Sequence, residues 1–175
     1  MITITIKAKP NSGKTIIGSL LFSYLAEVGV RTNRWTISED PHGEPEEDAT
    51  KYTYDNTVAI LDEWKSQNGG TLNQFSISFT KHGIECSIEQ PTAKCMLVID
   101  VIDSAAEGAR CDAALIIAYL RERLAQEGFM QVIGHKHHSF SWFLIQAPQL
   151  LTDHFRSEVI KNEFHIREEH IFTKR

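Results

Sequence analysis

Clusters of basic residues are missing from this sequence. Its 175 residues carry 18 Lys and Arg against 23 Asp and Glu, a formal net charge of -5. No basic run displaces counterions from a phosphate backbone or an anionic bilayer, so neither nucleic acid nor a membrane is an expected partner. Cysteine is scarce. Cys86, Cys95 and Cys111 form no CxxC pair and cannot all pair within one chain, which fits a reduced setting. No apolar run approaches the roughly 20 residues that span a bilayer. The opening MITITIKAKPNSGKT alternates apolar and polar residues instead of building the apolar block of an export signal. A cytoplasmic protein is expected. With 42% hydrophobic and 23% charged residues, the composition is that of one globular domain able to bury a single core.

Ile2, Ile4 and Ile6 alternate with Thr3, Thr5 and Lys7, the period of a half-buried strand. Pro10, Asn11, Ser12 and Gly13 break it with turn chemistry. From Thr15 the period changes: Ile16, Ile17, Leu20, Leu21, Tyr24, Leu25 and Val28 recur at helical spacing, and Gly29 stands where a helix stops. Arg34–Ser38 reads as the next strand, with Trp35 and Ile37 on one side. Residues 39–48, with six carboxylates and two prolines, read as an acidic loop whose plain role is a solvated surface. Residues 54–67 fit a helix through Val58, Leu61 and Trp64, although Thr57–Leu61 alone passes as a buried strand ending in Asp62. Residues 73–80 and 84–89 alternate around Lys81-His82-Gly83 and suggest an antiparallel hairpin over 72–90.

Lys94–Ile102 is the most apolar strand and reads as buried on both faces. Ser104 and Glu107 have capping-box spacing ahead of a long helix that Gly128 ends, and Phe129–Ile133 supplies a further strand. Residues 140–175 carry weaker signals: a strand at 140–147, a short helix at 149–161, and a strand or helix at 163–172. The alternation of β and α elements predicts a single α/β domain over residues 1–175, a mostly parallel sheet flanked by helices, with the hairpin inserted and 140–175 as an extension whose place relative to the sheet is left open.

Ala8-Lys9-Pro10-Asn11-Ser12-Gly13-Lys14-Thr15 matches the Walker A pattern with alanine first. Gly13 lets the backbone approach phosphate oxygens, with Asn11 and Ser12 in the turn that carries the amide groups. The following helix adds its positive N-terminal end. Lys14 supplies charge to the β- and γ-phosphates and Thr15 a magnesium ligand. The plain alternative is a glycine turn that merely starts a helix; Ala8 in place of glycine, and the donor lost at Pro10, favour it. The stretch ITIKAKPNSGKTIIGSLLFSYLAEVGV resembles the opening of P-loop NTPases, and especially small phage and bacterial proteins with a strand, a GSGKT-type loop and a helix ending in Gly-Val. The likeness covers about residues 1–38. It implies a P-loop-like sandwich binding ATP or GTP with magnesium through Gly13, Lys14 and Thr15, in the host cytoplasm if the chain is phage-encoded.

A second carboxylate at a neighbouring strand end is needed to support magnesium. Asp100, ending Met96–Ile99, is favoured as the catalytic and metal-binding acid. Asp62, followed by Glu63, is the other candidate, and for each the ordinary reading is an acid on a strand end or helix face. No arginine-rich lid of the nucleotide-kinase kind is present. Asp40 is a possible contact to a nucleoside hydroxyl or simply part of the acidic loop. His135, His137 and His138 read as surface histidines more readily than as a zinc site, and Trp142 and Phe143 as a core strand more readily than a base-stacking platform. Two functions are carried forward: a magnesium-dependent NTPase or nucleoside phosphotransferase, and a non-catalytic accessory protein that binds or inhibits a protein partner.

Overall fold

A computed structural model describes residues 1–38, 47–49, 54–67, 69–70, 72–80, 95–103, 110–131 and 163–171. The elements are β1 (Ile2–Ala8), α1 (Lys14–Glu27), β2 (Thr32–Ser38), β3 (Glu47–Asp48), α2 (Tyr54–Gln67), β4 (Leu72–Thr80), β5 (Cys95–Asp103), α3 (Arg110–Glu127), β6 (Phe129–Gln131) and β7 (Phe164–His170). The described strands form one sheet of seven in the order β3-β2-β7-β1-β5-β4-β6.

The sheet consists of two parallel halves that run in opposite directions. β2, β7 and β1 are mutually parallel, as are β5, β4 and β6. The halves meet where β1 pairs antiparallel with β5, Ile6 opposite Ile99 and Thr5 opposite Asp100. The short β3 adds a second antiparallel contact at the β2 edge. The expected mostly parallel α/β sheet is therefore present.

Strand alternation sorts the side chains onto two unlike faces. Ile2, Ile4, Ile6 and Ala8 are buried on one face, beside Phe164 and Ile166 of β7 and Trp35 of β2. Leu97, Ile99 and Val101 of β5 and Phe75 and Ile77 of β4 continue that face. It forms one core with Ile17, Leu20, Leu21, Tyr24 and Leu25 of α1 and with Ile116, Leu120 and Leu124 of α3. The three described helices interlock over it. Thr57 donates to Ser19 Oγ at 2.7 Å, Tyr119 to the Tyr24 carbonyl at 2.7 Å, and Lys65 pairs with Glu127 at 2.8 Å.

The opposite face carries Thr5, Lys7, Asp100, Thr36, His165, Arg167 and Glu169, with the buried Val98 and the exposed Ile102 of β5 among them. Lys7 meets Asp100 at 2.8 Å and Arg167 meets Glu169 at 3.2 Å. Burial, and then the charges of Arg34 and Arg167, push the His165 imidazole below its ordinary range.

The chain reverses out of α1 through Gly29 at φ 86°, and the Val30 amide donates to the Leu25 carbonyl at 2.9 Å. That six-residue closure satisfies a terminal carbonyl and needs the left-handed backbone glycine tolerates.

Residues 72–80, the first arm of the expected hairpin, form β4. β4 lies inside the sheet with a parallel strand on each side, and 84–89 lies outside the described residues. Glu47 and Asp48, assigned to the acidic loop, form β3. Most consequential, residues 164–170, whose place relative to the sheet the sequence leaves open, form β7 between β1 and β2. The helix over 54–67 matches expectation, while the possible elements at 140–147 and 149–161, the capping pair at 104 and 107, and His135, His137 and His138 fall outside the described residues.

Candidate functional site

β1 ends at Ala8, a turn follows, and α1 opens at Lys14. The turn needs two left-handed residues, Asn11 at φ 59° and Gly13 at φ 81°. At Gly13 a side chain is excluded twice over: by the backbone, and because a Cβ there stands 2.8 Å from the Trp64 ring of α2. Trp64 is itself stacked on Phe75 of β4, centroids 4.7 Å apart. The loop is thus clamped at its last residue by an aromatic pair from the other half of the molecule.

Lys14 is 5% exposed. Its ammonium folds back over the loop and donates to the Lys9 carbonyl at 2.8 Å, with the Ala8 carbonyl at 3.4 Å. Burial pushes its pKa down to about 8, against the Glu168 carboxylate, which works to raise it. A cation whose charge is disfavoured by burial gains from an arriving anion.

The next residue brings in β7. The Thr15 hydroxyl donates to Glu168 Oε1 at 2.8 Å, and the Trp35 indole N–H donates to Glu168 Oε2 at 2.8 Å. Glu168 is 1% exposed and stands opposite Ile6 on the core face of the sheet. β7 runs parallel to β1, so its C-terminal end and the loop emerge together. His170, the Cα partner of Ala8, and the Ile171 amide, which donates to the Ala8 carbonyl at 2.8 Å, complete this edge.

The structure therefore brings together Ala8, Asn11, Ser12, Gly13, Lys14 and Thr15 but not the two acids expected to serve them. Asp100 lies on the sheet's other face, directed to Lys7. Its strand is antiparallel to β1, and its partner is Thr5, three residues before the loop. At about 3.3 Å per residue that is some 10 Å back along the strand. Asp62 lies on the exposed surface of α2. Asp40 lies outside the described residues. Arg123 of α3 is half-buried, pairs with Glu27 at 2.9 Å and covers the Tyr24 ring at 4.7 Å.

Glu168 was missed, although a signal for it exists: in Phe164, Ile166, Glu168 the acid takes the third apolar position of an alternating strand. An acid on the core side of a strand needs partners, and here they are Thr15 and Trp35.

Among the described residues no cluster of three or more His, Cys, Asp or Glu is placed to hold a metal, and no helix is long and apolar enough to cross a membrane. No protein-family model, curated protein or solved structure matches this chain. The geometry itself consists of a buried ammonium, a hydroxyl and a carboxylate at one helix N-terminus. That combination suits an anion accompanied by a hard cation.

Proposed function

We propose that this chain binds a nucleoside triphosphate with magnesium at the Ala8–Thr15 loop, as P-loop proteins do, and acts as an NTPase or phosphotransferase using ATP or GTP. The observation that carries the reading is the bond from Thr15 to Glu168. The hydroxyl at the Walker-type Thr position is joined to a buried carboxylate on the parallel neighbour of β1, the pairing that a shared magnesium requires. The left-handed Gly13, and the Lys14 ammonium already turned over the loop, are a second support.

In this reading Lys14 exchanges the Lys9 carbonyl for phosphate oxygens. The anion favours its charged form, so binding holds a proton on Nζ that burial alone tends to release. Asn11, Ser12 and Gly13 present backbone amides, with one donor fewer because of Pro10. Thr15 and Glu168 are the residues that would hold magnesium. The described side chains offer it little else, and this suits a cation that takes one or two protein ligands and completes its shell from phosphate and water. When bound, magnesium neutralises charge on the phosphates, and the chain's part is to position them.

The test is thermal unfolding with ATP, GTP and a deoxynucleotide, each with and without magnesium, on the native chain and on Lys14→Ala. A ligand at 100 times its Kd stabilises by about 2.7 kcal/mol, a rise of several degrees at this length. A rise that needs both magnesium and Lys14 is expected. No rise with any nucleotide refutes the reading and turns attention to a protein partner bound by the same scaffold.

A further inference from the structure

Glu168 is held on two sides, and the side away from the loop belongs to Trp35. Trp35 is on β2, with β7 between it and β1. Its Cα partner on β7 is Ile166, so the indole reaches along the neighbouring strand to meet Glu168 Oε2 at 2.8 Å. Both residues are 1% exposed.

Helix α1 packs against the ring. Above it passes Gly18 of α1, where a Cβ meets the Trp35 ring at 2.7 Å. One turn on, Phe22 stacks on the ring at a centroid distance of 6.0 Å and 24° between planes. An indole N–H is a donor only and cannot invert its role as a hydroxyl can. Held by its strand and by α1, it fixes the rotation of the carboxylate.

From this we propose that Trp35 is a positioning residue for magnesium–nucleotide binding, fixing Glu168 so that its other oxygen serves Thr15. The inference rests on the nucleotide-binding reading above and goes beyond it. It makes a residue that touches neither phosphate nor metal set the magnesium dependence of the site. A carboxylate with one anchored oxygen delivers the other without the entropic cost of ordering it on binding. Loss of the indole N–H therefore weakens the magnesium-dependent part of binding and spares the part contributed by Lys14 and the loop amides.

The experiment measures nucleotide affinity by titration calorimetry with and without magnesium, using ATP and GTP, on native protein, Trp35→Phe and Phe22→Leu. Trp35→Phe keeps an aromatic ring and removes the donor. Phe22→Leu loosens the packing on Trp35 and keeps the donor. The expected result is about a tenfold loss of magnesium–nucleotide affinity in Trp35→Phe, the size of one charge-assisted hydrogen bond. Its magnesium-free affinity should stay within about twofold, and Phe22→Leu should behave as native in both conditions. Equal losses in both variants would reduce Trp35 to a packing residue and overturn the proposal, as would an unchanged Trp35→Phe. A native protein that binds no nucleotide would refute the underlying reading instead, so the two failures are separable. Should Trp35→Phe not fold, the native protein decides: its Trp35 indole N–H resonance, identified by its proximity to Phe22, must shift when magnesium joins the nucleotide complex. A resonance that stays in place overturns the proposal.

Discussion

Gly18→Ala should destabilise this protein, although the same change in an ordinary helix interior stabilises it. Alanine is favoured over glycine by about 0.8–1.0 kcal/mol inside a helix, and Gly18 lies well within α1. Against that gain stand three contacts. The new Cβ falls 2.7 Å from Trp35 Cζ2, 3.0 Å from Cε2 and 3.2 Å from Nε1, whereas carbon atoms rest about 3.5–4.0 Å apart. The obstacle is a rigid ring in the core, so the strain cannot be shed by a flexible side-chain end. Overpacking of this kind costs about 1–3 kcal/mol. Displacing the ring also strains the bond from Nε1 to Glu168, worth about another 1 kcal/mol. The balance is a loss of roughly 1–3 kcal/mol, read as a lower urea midpoint with unchanged slope. A cycle with Trp35→Phe locates the cause: in that background Gly18→Ala should lose most of its penalty, a coupling above about 1 kcal/mol. A Gly18→Ala protein as stable as native, or a penalty independent of residue 35, would refute the packing argument.

The other expectations concern charge and buried polar groups. Glu168→Gln should abolish the magnesium dependence of nucleotide stabilisation in thermal unfolding, whereas Asp100→Asn should preserve it and lower only the basal Tm; the reverse pattern would return Asp100 to the site. Lys14 is protonated in the unfolded chain up to pH ~10.5 and in the fold only to about 8, so the unfolded state binds more protons between these values. The burial penalty is therefore full below about 8 and relieved as pH rises toward 10.5, and the stability of native protein relative to Lys14→Met should climb over that window in urea titrations. Thr57→Val strands the buried Ser19 hydroxyl and should cost about 1–3 kcal/mol. Arg123→Ala breaks a half-exposed pair and a ring contact and should cost about 1 kcal/mol or less, so equilibrium unfolding should rank Thr57→Val well below Arg123→Ala.

What was legible in the sequence was local. The isoleucine alternation of β1, the turn chemistry of Pro10–Gly13, the helical period after Thr15 and the stop at Gly29 are each decided by neighbouring residues, and the structure follows them. The helix over 54–67 was legible for the same reason: no breaker interrupts it before the glycines. The order of strands was not, because it is decided by pairings between distant segments. β7 pairs with β1 across more than 150 residues, as the Thr15–Glu168 bond does. A seven-residue strand near the chain's end carries no mark that it belongs between the first two.

The choice of acid turns on that same pairing. An apolar run ending in aspartate describes Leu97–Asp100 well, and it would describe a metal-supporting strand if the strand ran parallel to β1 and displayed Asp100 on the α1 side. Direction and face are both set by register, and the antiparallel match of Thr5 with Asp100 fails both conditions. It leaves the carboxylate with Lys7, among the polar residues of the far face. Glu168 meets both conditions through a strand whose sequence, FHIREEH, looks half solvated. The order of reasoning this imposes is general: a loop motif fixes one end of a phosphate site locally, but its acidic partner is identified by which strand lies beside the first, in which direction, and with which face toward the helix.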